Sequence, residues 1–310
     1  MALSVVQVRR SMAELKPPIL VIGGTRSGTS MLARVLGNAP GLVCWYEPNT
    51  LWRIGHAYRS SERATVADAR PWVKRRIRRE FLKFQESHGG LRVVEKSPPN
   101  ALRISFVHAI LPEAKIVHIY RDGRAMLRSQ MDRYEHFVSY DIKKGAHREH
   151  VLERLRITPW WEWPAYAGRF VDGLSRRLLG RKVGWFGIRH PGWKADRRTL
   201  DRVQVIAKQW AVALEHSLPE LESLPRESWL NLRYEDVVTD PDRWFREICR
   251  FCEVEPGEEF FKDVRERVHA GSLHKWKDEL TPEELGLAMP IMEPMLRRLG
   301  YLQEPVAAAV

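Results

Sequence analysis

Apolar and polar positions alternate along this chain in a recurring order, a short uncharged run followed by a longer stretch at helical spacing. Pro18 to Ile22 carry no charge and read as a buried strand, and Met31 to Leu36 have the spacing of a helix. Leu42 to Trp45 predicts a second strand, ending at Tyr46-Glu47-Pro48. Over 66–86, Trp72, Val73, Ile77, Phe81 and Phe84 fall on one helical face, with Lys74, Arg75, Arg76, Arg78 and Arg79 on the other. Leu91 to Val94 predicts a third strand that delivers Glu95 and Lys96 at its end, and Ala101 to Leu111 a helix. KIVHIY, Lys115 to Tyr120, predicts a fourth strand, with a helix running on through Arg133. Val203, Ile206, Trp210 and Leu214 repeat at helical spacing, and Trp229 to Arg233 predicts a last strand. Asp240-Pro241 and the capping box Thr281-Pro282-Glu283-Glu284 mark two further helix starts. Strand and helix in alternation predict an α/β chain in three layers, a central parallel sheet flanked by helices.

In such sheets ligands gather at the carboxyl ends of strands, and Arg26, Glu47, Lys96 and Arg121 all fall just after predicted strand ends. The first of these ends breaks into GGTRSGTS, where Gly23, Gly24 and Gly28 let the backbone turn tightly. Strand, glycine loop and helix start make an anion cradle, because unpaired N–H groups and the helix dipole converge there. The spacing nearly spells GxxxxGK[ST], the loop of ATP- and GTP-binding folds. Gly23, Gly28 and Ser30 fit, but Thr29 stands where the lysine belongs and the positive charge is Arg26, inside the loop. That departure points to a phosphate ligand other than a triphosphate.

Residues 1–17 read as a loosely held arm, and 131–200 interrupts the alternation. The interruption carries Trp160, Trp161, Trp163, Trp185 and Trp193, with Arg189-His190-Pro191-Gly192 among them. These rings either pack an insert onto the core or form an acceptor-binding cap by stacking on sugar rings or other flat groups.

At 310 residues the chain can bury a substantial core, and 51 Lys+Arg against 39 Asp+Glu, a formal charge of +12, favour a polyanionic ligand or partner. The basic run at 74–79 is either a solvated face or a contact for an acidic acceptor. Three cysteines, Cys44, Cys249 and Cys252, give no disulfide framework, and the CxxC lies in an apolar helical pattern that predicts core packing. No secretory leader, spanning run, repeat or nucleic-acid module stands out, and the expectation is a cytoplasmic protein with no nucleic-acid partner.

With these pieces placed, the chain resembles the sulfotransferase superfamily, enzymes that use 3′-phosphoadenosine 5′-phosphosulfate (PAPS). GGTRSGTS is similar to that family's 5′-phosphosulfate loop, which implies that Gly24, Thr25, Arg26, Ser27, Gly28, Thr29 and Ser30 hold the phosphosulfate. IVHIYRDGRAMLRS is similar to the 3′-phosphate motif, implying Arg121 and Ser129 as its ligands. RYEDVVTDP resembles the family's RYEDL-type segment and implies that Tyr234 sits by the nucleotide. Among branches the tyrosylprotein type is most similar. Its RSGT loop is followed 21 residues on by a catalytic glutamate, which lands on Glu47, and its lysine after the following strand matches Lys96. The segment His269 to Trp276 resembles the late cofactor-closing loop and implies Ser272, Lys275 and Trp276 as cofactor contacts.

The resemblance implies one sulfotransferase domain over 1–310, moving a sulfuryl group from PAPS to a hydroxyl by in-line displacement. Arg26 and Lys96 would stabilise charge on the leaving phosphate and Glu47 would act as general base, a scheme that requires no metal. His190 and His274 are the histidines expected near a cleft and able to replace Glu47, whereas His118 in KIVHIY reads as core-facing or polar-satisfied. The tryptophans favour a carbohydrate or glycolipid acceptor. Two alternatives stand beside this reading, a P-loop small-molecule kinase and a non-catalytic polyanion-binding protein.

Overall fold

The computed structural model describes residues 14–141, 156–166, 187–271 and 273–302, with backbone alone for 134–141. Trp185, Ser272, most of the expected arm and the greater part of 142–186 lie outside the described residues.

Five strands form one parallel sheet: β1 (Ile19–Ile22), β2 (Leu42–Tyr46), β3 (Arg92–Lys96), β4 (Lys115–Tyr120) and β5 (Trp229–Arg233), in the order β2-β3-β1-β4-β5. β1 is wholly buried in the middle, and its period-2 pleat sends Leu20 and Ile22 to one layer, Ile19 and Val21 to the other. The first layer contains α2 (Pro71–Ser87) and α3 (Ile104–Ile110), the second α1 (Thr29–Gly37) and the helix Pro241–Phe251. A third apolar cluster joins α4 (Gly123–Asp141) to the helices Arg202–Glu222 and Pro282–Arg298.

Three boundaries differ from the sequence pattern. The helix expected from residue 66 begins at Pro71, because proline has no N–H to lose in a first turn and holds Arg70 extended (ψ 152°). Residues Val66–Asp68 form a separate 3₁₀ turn, closed by a Thr65–Asp68 capping box. The third strand runs two residues past Val94, so Glu95 and Lys96 are part of it and point to opposite faces. Pro98-Pro99 begin a 3₁₀ turn to Leu102, which delays α3 to Ile104. Residues 14–17 are held rather than loose: Lys16 N donates to Gln85 Oε1 (2.9 Å), Gln85 Nε2 donates to Glu14 O (2.9 Å), and Leu15 packs on the core.

No helix among the described residues is long and apolar enough to cross a membrane. The register aligns Val21 with Lys96 and Lys96 with Tyr46, so the loop after β1 and the side chains ending β2 and β3 reach one edge.

Candidate active site

The loop after β1 turns where no side chain fits. A Cβ on Gly23 would lie 2.2 Å from the Ile119 carbonyl oxygen, and one on Gly28 2.5 Å from the Tyr234 ring. Arg26 (φ 61°) and Gly28 (φ 96°) are both left-handed. Gly28 caps α1 without a side chain, and the first turn of α1 contains no carboxylate, so the amides of that turn face the loop uncompensated. Ser27 N donates to Gly24 O at 3.3 Å; Ser27 and Thr29 are buried, Thr25 and Ser30 half-buried.

Arg26 Nε donates to Ser129 Oγ at 3.0 Å, and Arg121 donates to the Arg26 carbonyl at 3.4 Å. The Arg121 guanidinium stacks 4.4 Å over the ring of Tyr234. The ends of β1, β4 and β5 thus gather Arg26, Arg121, Ser129 and Tyr234, four residues that the sequence motifs single out. Lost hydration, then the charges of Arg133 and Arg121, hold Arg26 below the ordinary arginine pKa, against a smaller opposing effect of the Tyr46 and Tyr234 phenols. Cations crowded with no carboxylate among these neighbours favour an anion. One support is not visible in any motif: the buried Trp210 donates from Nε1 to the Arg121 carbonyl at 3.0 Å, with Gly123 close against its ring.

A second group adjoins the first. Lys96 Nζ lies 2.5 Å from Glu47 Oε1 in a pair whose lysine side chain is 1% exposed and whose glutamate is 37% exposed. The ammonium also sits 3.8 Å over the ring of Tyr46, and the Tyr46 hydroxyl is 2.8 Å from Ser30 Oγ, back in the glycine loop. Burial pushes the Tyr46 phenol up, but its hydrogen bonds with Ser30 and Lys96 outweigh that and leave it below its ordinary value. Glu47 is itself left-handed (φ 55°), with its N–H bonded to the Lys96 carbonyl at 2.8 Å. A partly exposed carboxylate, paired with a buried lysine beside an anion cradle, can take a proton from a group that approaches from solvent. Tyr46 escaped the sequence reading, although an aromatic at a strand end next to Glu47 was a usable signal.

A sequence model described as the sulfotransferase family matches residues 17–164 and 175–258. The chain belongs to the sulfotransferase family. It is 21% identical over 314 residues to protein-tyrosine sulfotransferase A of Caenorhabditis elegans, covering 92% of this chain and 67% of that protein. It is also 21% identical over 316 residues to the protein-tyrosine sulfotransferase of Drosophila melanogaster, where 92% of this chain spans 52% of the relative. The chain therefore covers about half to two thirds of these relatives' lengths. Among solved structures, the sulfotransferase domain from the curacin biosynthetic pathway superposes with a TM-score of 0.51 at 15% identity, covering 94% of this chain and 100% of that one. That likeness shows the fold.

In this sulfotransferase the late segment touches the start of α4. The Trp276 ring packs at 4.1 Å over the guanidinium of Arg124, which is itself bonded to Asp122 beside Arg121. Lys275 and His274 are exposed just before the helix Trp276–Glu279.

His190, expected near a cleft, is fully buried: its Nδ1 lies 2.8 Å from the Pro191 carbonyl and its Nε2 3.5 Å from Asp196. A ring enclosed in this way does not face an acceptor. His118 is buried between Asn231 Oδ1 (2.7 Å) and Ser217 Oγ (3.0 Å), and burial lowers its pKa to about 4. Cys249 and Cys252 are core residues whose thiols burial raises to about 11 and about 12.

Glu95, the neighbour of Lys96 on the opposite face of β3, is wholly buried and accepts from Trp52 Nε1 (2.9 Å) and Asn100 Nδ2 (3.2 Å). Burial raises it to about 7.

Proposed function

We propose that this sulfotransferase uses PAPS as sulfuryl donor and a hydroxyl-bearing acceptor, with Glu47 as general base. The observation that supports it most is the contact between the two groups of the site. The cation cradle of Arg26, Arg121 and Ser129 and the Glu47–Lys96 pair meet through Ser30 and Tyr46 at one edge of the sheet.

The residues suit such a donor because the cradle is rich in cations, and the Arg26 pKa is lowered by burial first and then by its arginine neighbours. Arg121 and Ser129 would hold a 3′-phosphate, and the amides and hydroxyls of 27–30 a 5′-phosphate. Tyr234, already a stacking surface for Arg121, borders both. PAPS supplies the sulfuryl group and a phosphate leaving group. The acceptor oxygen bonds to sulfur as the sulfur–oxygen bond to that phosphate breaks, and the acceptor proton passes to Glu47 Oε. Arg26 and Lys96 offset the charge gained by the leaving phosphate, a term of several kcal/mol in comparable sites. The buried half of the Lys96–Glu47 pair anchors the exposed half, so Glu47 is oriented before an acceptor arrives.

Exposed Trp160 and Trp161 support a carbohydrate acceptor. The similarity to protein-tyrosine sulfotransferases supports a second reading, a tyrosyl hydroxyl.

The test is calorimetric titration with 3′,5′-adenosine bisphosphate of the wild type, Arg121→Ala and Glu47→Ala, followed by assay with PAPS. Micromolar binding lost in Arg121→Ala, and kept without turnover in Glu47→Ala, is the expected result. Wild-type protein that does not bind the nucleotide overturns the reading.

A further inference from the structure

Away from the glycine loop, the first turns of α2 and the segment 156–163 enclose a cavity of about 430 Å³, within the range of roughly 300–1,000 Å³ typical of small-molecule sites. Its walls combine indole rings with guanidinium groups. Trp72 and Trp161 meet at 6.0 Å and 66°, and Trp160 and Trp161 at 5.8 Å and 82°. Trp160 is 71% exposed and Trp161 50%, an unusual display of large apolar side chains. Arg75, Arg79 and Arg156 line the same space, and none of its lining residues is a carboxylate. Glu80, the acid one turn along, is held by Arg76 and Lys83.

The rings are held from behind. Buried Glu162 accepts from Gly55 N–H at 2.7 Å, Tyr58 donates to the Trp161 carbonyl at 2.8 Å, and Arg76 donates to the carbonyls of Arg156 and Ile157, both at 3.2 Å. Thr158, which also lines the cavity, is 4% exposed. These contacts fix the wall before any ligand arrives, which lowers the ordering cost of binding.

We propose that this cavity binds an acidic saccharide, a pyranose bearing sulfate or carboxylate groups. The perpendicular rings form a corner rather than parallel plates, which suits the C–H face of one sugar ring against one indole and its edge against the next. An acidic peptide would gain from a free strand edge, and the cavity walls are a helix and a 3₁₀ turn. Arg75 and Arg79, one helical turn apart on one face, match two anionic groups on the same or adjacent sugars. None of the lining residues belongs to the glycine loop or the Lys96–Glu47 pair, so binding here is tested independently of whether PAPS is the donor.

The experiment follows tryptophan fluorescence and calorimetry during titration with a heparin-derived tetrasaccharide. Maltotetraose, a glutamate hexapeptide and a thymidine oligonucleotide serve as competing probes. The tetrasaccharide is expected to bind saturably and more weakly as salt is raised, and to lose about tenfold or more in affinity in Trp160→Ala and in Arg75→Ala/Arg79→Ala. Both variants change exposed side chains and are expected to keep the wild-type unfolding midpoint and the wild-type response to 3′,5′-adenosine bisphosphate. Failure of the tetrasaccharide to bind, undiminished binding in Trp160→Ala, or tighter binding of the peptide or oligonucleotide overturns the proposal.

Discussion

Arg26 Nε donates to Ser129 Oγ at 3.0 Å across 103 residues of chain, joining the loop after β1 to the second turn of α4. This contact sets the width of the cation cradle, since Arg121 bonds to the carbonyl of the same Arg26.

Ser129→Ala removes the acceptor of that bond and one donor to a bound phosphate. Hydrogen bonds to charged groups contribute about 1.5–3 kcal/mol. The affinity for 3′,5′-adenosine bisphosphate measured by calorimetry is expected to fall by about tenfold or more, and Ser129→Thr to recover most of it. An unchanged affinity in Ser129→Ala would remove Ser129 from the site.

Tyr46 links the two halves of the site, its hydroxyl bonded to Ser30 and Lys96 and its ring under the Lys96 ammonium. Tyr46→Phe keeps the ring and is expected to lower turnover only a few-fold. Tyr46→Ala also takes away the cation–π contact, worth about 0.5–2 kcal/mol, and is expected to cost at least a further few-fold. Steady-state rates for the two variants check the order, and equal losses would assign the whole effect to the hydroxyl.

Gly28 and Gly41 are both left-handed, but a Cβ on Gly28 meets Tyr234 whereas one on Gly41 meets nothing within 4 Å. Gly41→Ala is expected to cost about 1–2 kcal/mol of backbone strain and leave nucleotide binding unchanged. Gly28→Ala adds the collision and is expected to abolish binding as well. Urea unfolding and calorimetry on both variants separate strain from loss of the loop.

His118 is neutral in the fold, with a pKa of about 4 against an ordinary 6.5, because burial disfavours its charged form. The unfolded chain takes up this proton first, so the stability that His118 confers is complete above pH 6.5 and is lost as pH falls toward 4. His118→Gln offers a donor to Asn231 and an acceptor to Ser217. The slope of unfolding free energy in that window is expected to shrink by about one proton, roughly 1.4 kcal/mol per pH unit. An unchanged slope would place the titration elsewhere, with buried His56 the next candidate.

The sheet was legible where strands are uncharged and bounded by glycine, as at Ile19–Ile22, or strongly β-branched, as in KIVHIY. Lys115–Tyr120 and Trp229–Arg233 have the expected ends. β3 was read short because two charged residues do not look like strand, yet Lys96 is buried by Tyr46 and Glu47 and Glu95 by Trp52 and Asn100. Motif spacing singled out Arg26, Glu47, Lys96 and Arg121, which the fold brings to one edge of the sheet. It could not find Trp210, whose hydrogen bond to the Arg121 carbonyl spans 89 residues, or the enclosure of His190, which depends on how its segment packs. Such partners are fixed by tertiary packing and leave no periodic trace.

β4 lies between β1 and β5, and β5 is encoded last among the strands. During synthesis, Arg26, Glu47, Lys96, Arg121 and Ser129 all leave the ribosome before Trp210, β5 or Tyr234 exist. At about 5–20 residues per second, the nascent chain carries these residues beside an open strand edge for on the order of ten seconds. Throughout that interval Arg121 has neither the indole that holds its carbonyl nor the ring on which it stacks, so its surroundings are complete only once the final strand has docked.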